Sequence, residues 1–216
     1  FNMTNNSFLH PIFSKAVYTK ALDIDVNKLL TVAKKEKYQV AGYWDSVSNH
    51  ALASINNTIL DKKELSKIKK EIMKEIHFYA HNIMKYKNNF EMTKSWFTKT
   101  STDQVSDYHK HNNSMLSAVL YLKTDDDTGK ISFIDHYSNL FQLEVHEHNM
   151  WNSTSYTFKP EDGLLLIFKS DTFHKVLKHK SKNDRYSLAM NFIPVGPIGK
   201  TTSDSFVNIV KIKNDR

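Results

Sequence analysis

Cysteine is absent from the 216 residues. Disulfides and thiolate metal sites are therefore excluded. Any metal must be held by histidine and carboxylate, donors that suit iron, manganese or zinc. The same absence points to a cytoplasmic address. Glycine and proline are scarce, at 5 and 4 residues, and no linker-like stretch or internal repeat divides the chain. No run reaches the ~18 consecutive apolar residues of a membrane span, so no membrane partner is expected. The first residues, Phe1-Asn2-Met3-Thr4, lack the basic-then-apolar pattern of a secretion signal. The chain starts without Met, which leaves residues before Phe1 undetermined.

What is present suits one sizeable core. Hydrophobic residues make up 40% and aromatics 12%, and the length fits a single domain spanning 1–216. The formal charge is 30 − 23 = +7, with 11 histidines besides. A basic protein admits anionic partners, nucleic acid included. Nucleic acid is not favoured here, because much of the excess lies on a lysine-rich stretch over 62–87 that reads as a solvated helix face. No basic-aromatic interleaving of a base-stacking platform is seen either. A homodimer is admitted by the composition and not indicated by it.

The elements fall into two parts. Over 1–90 we expect a first strand from His10 to Tyr18 and a short helix capped by Asp25, with Val26, Leu29, Leu30 and Ala33 on one face. A turn-rich loop over 38–57 follows. Leu65, Ile68, Ile72, Ile76, Tyr79, Ala80 and Ile83 then repeat at helical spacing, predicting one amphipathic helix from about Lys62 to Tyr86 behind a capping-box-like Asp61-Lys62-Lys63-Glu64. Over 91–198 short β-branched and aromatic runs alternate with turn signals. Strands are expected at 95–98, 115–123, 130–134, 141–147, 155–159, 164–168, 174–179 and 185–193. Residues 199–216 read as a polar tail. About eight strands behind a helical first part predict a mainly β fold with flanking α: a double-stranded β-helix, or jelly roll, with N-terminal helices packed on one sheet.

The chemistry centres on Asp107-Tyr108-His109-Lys110-His111-Asn112-Asn113-Ser114. Histidines two apart in an extended segment face one way, so His109 and His111 can share a metal. Asp107 is in phase with both. An isolated H-x-H is more often the solvated face of a strand. Here His174 follows the apolar run Gly163 to Phe168 and opens a strand. Arg185 comes eleven residues later, with Ser187, Ala189 and Asn191 on its face. Arginine offers a rigid two-donor fork for a carboxylate, and a serine hydroxyl adds a third hydrogen bond; the bland reading of Arg185 is a surface ion pair. His77 and His81, four apart on the long helix, lack a nearby acid or third ligand. His146-Glu147-His148 lacks the partner pattern and reads as a strand end or as rim.

The run from Ser95-Trp96 through His109-Lys110-His111-Asn112-Asn113-Ser114 to Leu116-Ser117-Ala118-Val119-Leu120-Tyr121-Leu122 resembles the 2-oxoglutarate- and iron(II)-dependent oxygenases of marine bacteria and their phages. Phe158 to Ser170, then His174-Lys175-Val176, Arg185-Tyr186-Ser187 and Asn191-Phe192 resemble that branch's later P-x-x-G-x-L-L-x-F-x-S-x-x-x-H-x-V…R-x-S-x-x-F-N pattern. The resemblance covers most of the chain, thinly over 20–60. It implies a prolyl-hydroxylase-like fold and a dioxygenase, a hydroxylase of unknown substrate, with a protein or peptide side chain favoured. A phage-encoded copy would work in the host cytoplasm. Iron(II) and 2-oxoglutarate are the implied cofactors, dioxygen the co-reactant, and ascorbate the reductant in vitro. His109 and His174 match the family's metal histidines. His111 stands where the wider superfamily has an acid, leaving the site one unit more positive. Asp107 and Asp135 are the alternative acid ligands. Arg185 and Ser187, helped by Tyr121, would bind the far carboxylate of 2-oxoglutarate. Two other classes stay open: a three-histidine oxygenase that does not use 2-oxoglutarate, and a non-catalytic jelly-roll module of a virion or binding protein.

Overall fold

The computed structural model describes residues 10–40, 49–135 and 143–210. Twelve strands among them pair into two antiparallel sheets. The larger comprises β1 (Tyr18–Ala21), β2 (Tyr38–Val40), β3 (Leu52–Ser54), β4 (Asn89–Thr100), β6 (Leu116–Lys123), β9 (Leu164–Lys169), β11 (Arg185–Ile198) and β12 (Val207–Ile209). Its order is β1-β9-β6-β11-β4-β3-β2, with β12 hung on the far end of β11. The smaller comprises β5 (Ser106–His109), β7 (Ile131–Ile134), β8 (Ser155–Phe158) and β10 (His174–Val176), in the order β5-β10-β7-β8. This is the jelly-roll arrangement expected from the run of short strands.

Two helices cover the outer face of the larger sheet. In α1 (Val26–Ala33) Asp25 Oδ1 accepts from the Lys28 amide at 2.9 Å, the N-cap expected. The long helix is less regular than its periodicity implies. Two 3₁₀ turns, Ile59–Asp61 and Lys63–Leu65, precede α2 (Ser66–Phe78), and a π-helical turn, Tyr79–Ile83, ends it. Asp61 does not cap α2. Its carboxylate pairs with Lys69 at 2.7 Å, and the cap position is Leu65. The local reason is burial: Ile59, Leu60 and Leu65 are all drawn into the core, and the Leu60 amide donates to Ser95 Oγ at 2.9 Å. Such anchoring favours tight turns over a continuous helix.

The layers explain the sequence pattern. The central strands β6 and β9 are buried on both faces, which is why each reads as an almost unbroken apolar run. Between sheet and helices lies the main core, with Leu29, Ile72, Ile76, Phe97, Leu120, Ile167, Leu188 and Phe192. Between the two sheets lies a smaller one of Val119, Tyr121, Ile131, Phe133, Leu166 and Phe168. Strand β11 alternates strictly: Tyr186, Leu188, Met190 and Phe192 enter the main core. Arg185, Ser187, Ala189 and Asn191 therefore share the opposite face, toward the smaller sheet.

Several expected boundaries move. The first strand begins at Tyr18, not His10, since pairing with β9 starts there. Within 38–57, expected as loop, β2 and β3 are strands because each has a partner. Of the strand expected over 141–147, residues 141 and 142 lie outside the described residues, while 143–147 are exposed and unpaired in any sheet. The tail from 199 contains β12. Among the described residues no helix is long and apolar enough to cross a membrane.

Candidate metal and cosubstrate site

Three histidines meet at one end of the space between the sheets. His174 opens β10 directly opposite His109, the last residue of β5. Cross-strand pairing alone thus joins two rings that are 65 residues apart, their centroids separated by 4.3 Å. His111 lies just beyond the end of β5, where its amide donates to Ser170 O at 2.9 Å. Its ring is 5.4 Å from His109 and 5.2 Å from His174. One ligand atom from each of the three lies within 4.8 Å of the others. Three ring nitrogens at about 2.1 Å from one ion sit roughly 3 Å apart, so small side-chain rotations would close the set.

Hydrogen bonds select which nitrogen each ring offers. His109 Nδ1 bonds Asp107 O at 2.6 Å, and His174 Nδ1 bonds Thr172 O at 2.9 Å. His111 Nδ1 bonds Asn191 Oδ1 at 2.7 Å. A carbonyl oxygen can only accept, so each Nδ1 carries the proton and each Nε2 is left with a lone pair. Burial keeps the rings neutral. It pushes His111 down to about 4 and His174 to about 3, with the neighbouring His109 adding to both. Burial lowers His109 too. Three neutral, preoriented imidazoles fit a divalent transition metal.

The carboxylates expected as alternatives stand aside. Among the described residues, the group of close ligand atoms contains no acid. Asp107 contributes its backbone carbonyl to orient His109, and its amide donates to His50 Nε2 at 3.4 Å. Asp135 pairs with Lys15 at 3.8 Å on the surface. His146 and His148 are exposed. His77 and His81 stack at 5.6 Å, and their Nε2 atoms bond the Phe90 and Asn88 carbonyls of the β4 entry at 3.1 and 3.0 Å. They fasten helix to strand.

Farther along the inner face sits a buried cation. Arg185 is 4% exposed, and its guanidinium lies 5.1 Å from the centre of the Tyr121 ring. Its protein bonds are at the long limit, 3.4 Å to Gly129 O and 3.5 Å to Ser187 Oγ. Among the described residues no acid pairs with it. Arg185 Nε and Tyr121 OH have no hydrogen-bond partner although both are buried. An orphaned buried donor costs ~1–3 kcal/mol, and here one belongs to the arginine and the other to the tyrosine beside it, an arrangement that suits a carboxylate. Burial raises the Tyr121 phenol, which keeps it a donor.

Sequence reasoning missed three contributors. Thr98 Oγ1 bonds Ser187 Oγ at 2.8 Å across the β4–β11 register. Trp96, two residues earlier on the same face, lies 5.9 Å from the His111 ring. Gly129 lets the β6–β7 turn approach Arg185, since a Cβ there would overlap Leu177 O. The period-2 placement of Trp96 and Thr98 was a usable signal; nothing local marks Gly129.

Comparisons with known proteins bear on family and fold. Residues 94–191 match the family model described as "Putative 2OG-Fe(II) oxygenase". That segment contains all three histidines, Tyr121, Arg185 and Ser187. Among solved structures, the fold is similar to a Pseudomonas putida prolyl-4-hydroxylase at 16% identity, over 85% of this chain and 95% of that one, with a TM-score of 0.59. It is similar to the α-ketoglutarate-dependent epimerase SnoN from nogalamycin biosynthesis at 11% identity, over 94% and 92%, with a TM-score of 0.64. It is also similar to HygX from Streptomyces hygroscopicus, solved with nickel, 2-oxoglutarate and hygromycin B, at 10% identity, over 83% of each chain, with a TM-score of 0.59. Identities this low speak for the fold alone, a double-stranded β-helix. Among curated proteins no sequence match is found.

Proposed function

We propose that this chain, whose residues 94–191 match a 2OG-Fe(II) oxygenase family model, is a dioxygenase that uses iron(II) and 2-oxoglutarate to hydroxylate a protein or peptide side chain. His109, His111 and His174 hold the iron through Nε2. Arg185 and Tyr121 OH bind the distal carboxylate of 2-oxoglutarate, and Thr98 steadies Ser187 beside them. The observation that carries this reading is the pair of orphaned donors, Arg185 Nε and Tyr121 OH, buried on the face of the larger sheet that looks toward the smaller sheet, which carries His109 and His174. Together, iron(II), 2-oxoglutarate and dioxygen supply an oxidant for a C–H bond, with succinate and carbon dioxide as coproducts. The protein's part is positioning. The histidines present their lone pairs from one side, Arg185 fixes the far end of the cosubstrate, and Trp96 walls the mouth beside His111.

The side-chain preference rests on the likeness of fold to a prolyl hydroxylase and of motif to the marine and phage branch; the cytoplasmic address rests on the lack of cysteine. The deciding experiment incubates the protein with iron(II), ascorbate and 2-oxoglutarate and follows succinate. Uncoupled turnover is expected in the wild type, and its loss in Arg185→Ala with iron still bound. Unchanged 2-oxoglutarate binding in Arg185→Ala would overturn the cosubstrate assignment. Iron uptake without any succinate would favour a three-histidine oxygenase of another kind.

A further inference from the structure

Two of the three histidines are held by their own stretch of backbone. The third is not. The Nδ1 acceptors of His109 and His174 are the carbonyls of Asp107 and Thr172, each two residues back along the same chain segment. No side-chain substitution removes a backbone carbonyl. The acceptor for His111 is a side chain 80 positions away, Asn191 Oδ1 at 2.7 Å.

That amide oxygen is itself aimed. Ser117 Oγ donates to it at 2.9 Å. Ser170 Oγ lies 2.8 Å from Ser117 Oγ and 3.0 Å from Ser114 Oγ, and because the Ser117 proton goes to Asn191 it is the Ser170 hydroxyl that donates to Ser117. Ser114 Oγ lies within hydrogen-bond distance of the Leu116 and Phe192 carbonyls, at 2.9 and 3.1 Å, and accepts from the Phe192 amide at 3.2 Å. The row of hydroxyls is anchored in the backbone of β6 and β11. Its members Ser117 and Ser170 are fully buried. The β11–β4 register also shifts between Asn191 and Phe192, leaving Thr93 unpaired, with Thr93 Oγ1 donating to Asn191 O at 3.1 Å. Irregularities of this kind re-aim a side chain beside a site.

We propose that Asn191, held by the Ser117–Ser170–Ser114 hydroxyl row, is the positioning residue that makes His111 a metal ligand in the acid's place. By accepting from Nδ1–H it fixes one tautomer and one ring angle, so that Nε2 faces the other two histidines. Outer partners of metal-bound histidine typically change metal affinity 10–100-fold. The proposal rests on His111 being a ligand. It also has a consequence for charge. An aspartate at 191 would accept the same hydrogen bond while bringing one negative charge to the back of the ring, returning at one remove the charge that a carboxylate ligand would have supplied.

The test measures cobalt(II) binding by visible absorption, alongside ¹⁵N spectra of the histidine rings in the metal-free protein at neutral pH. Wild type should show His111 as a single Nδ1–H tautomer. Asn191→Leu, which keeps the bulk and loses the acceptor, should bind cobalt 10–100-fold more weakly with His111 in mixed tautomers. Asn191→Asp should bind at least as tightly as wild type. A wild-type His111 protonated on Nε2 overturns the proposal without any variant. So does Asn191→Leu within twofold of wild type, or Asn191→Asp as weak as Asn191→Leu. His111→Ala separates the two levels. If it binds cobalt like wild type, the three-histidine ligand set itself fails. If it loses cobalt while Asn191→Leu does not, only the role of Asn191 fails.

Discussion

At the scale of single residues, the site is built from groups whose cost in the metal-free, ligand-free chain is visible. Tyr121 OH is buried with no partner. Tyr121→Phe removes an unsatisfied group and should leave thermal stability equal or raised, by about 1 kcal/mol. The same change should weaken 2-oxoglutarate binding several-fold and shrink the thermal shift that the ligand produces. A variant less stable than wild type and unchanged in affinity would argue against the carboxylate cradle. The histidines give a second expectation. Folded-state values of about 4 for His111 and about 3 for His174 lie below the ordinary 6.5. Above 6.5 folded and unfolded chains alike hold these rings neutral. As pH falls below 6.5 the unfolded rings take up protons that the folded ones refuse, so the metal-free protein should lose stability progressively toward pH about 3, with the His111 share complete near 4. Urea midpoints measured at steps across that window should fall; a flat profile would contradict burial of neutral rings. The shared face of Arg185, Ser187 and Asn191 was legible because they fall at even spacings along one strand. That His111 rather than Asp107 joins the other two histidines was not legible from spacing, since Asp107 has the same phase. It depends on where β5 ends and on which carbonyls the rings find.

At the scale of elements, pattern identified strands that are buried and missed those defined by their neighbours. The apolar runs of β6 and β9 announced themselves, as did the alternation of β11. Strands β2, β3 and β12 are three residues each, too short for a period to show, and pairing alone makes them strands. Conversely, Leu143 and Val145 alternate with polar residues as a strand would, yet no sheet takes them and Leu143 is 79% exposed. The turn from β6 to β7 shows how an element reaches the site. Its Gly129 packs against Leu177, and its carbonyl accepts from Arg185. Gly129→Ala should force the turn away from the end of β10, because the added methyl meets backbone rather than a yielding side chain. The expected result is a destabilised protein whose affinity for 2-oxoglutarate falls while cobalt binding at the distant histidines persists. Equal loss of both, in protein shown to be folded, would mean that the turn does not act through Arg185.

At the scale of the whole molecule, the described residues before 90 look like a flank in sequence and supply a large share of the main core in structure. Strand β1 lies on the edge of β9, with Tyr18 opposite Ile167. Tyr18 OH donates to Glu75 on α2 at 2.8 Å, and Tyr79 OH donates to Ala16 O at 3.0 Å. Leu29, Ile59, Leu60, Leu65, Ile72 and Ile76, all at most 1% exposed, meet Phe97, Leu120, Ile167 and Leu188 from the sheet. We infer that 1–216 is one folding unit, and that the boundary near residue 90 marks a change of secondary structure only. Burying such a side chain is worth ~1.5–3 kcal/mol each, and a domain's net stability is only ~5–15 kcal/mol. Residues 91–216 alone would lose more than they have to lose, and would expose the apolar face of β4, β6, β9 and β11 as well. That fragment should be unfolded or aggregated, with no near-ultraviolet dichroism and no stoichiometric cobalt binding. A soluble, monomeric fragment that binds cobalt as the full chain does would show that the helical layer is dispensable to the fold and that the site is carried by the β core alone.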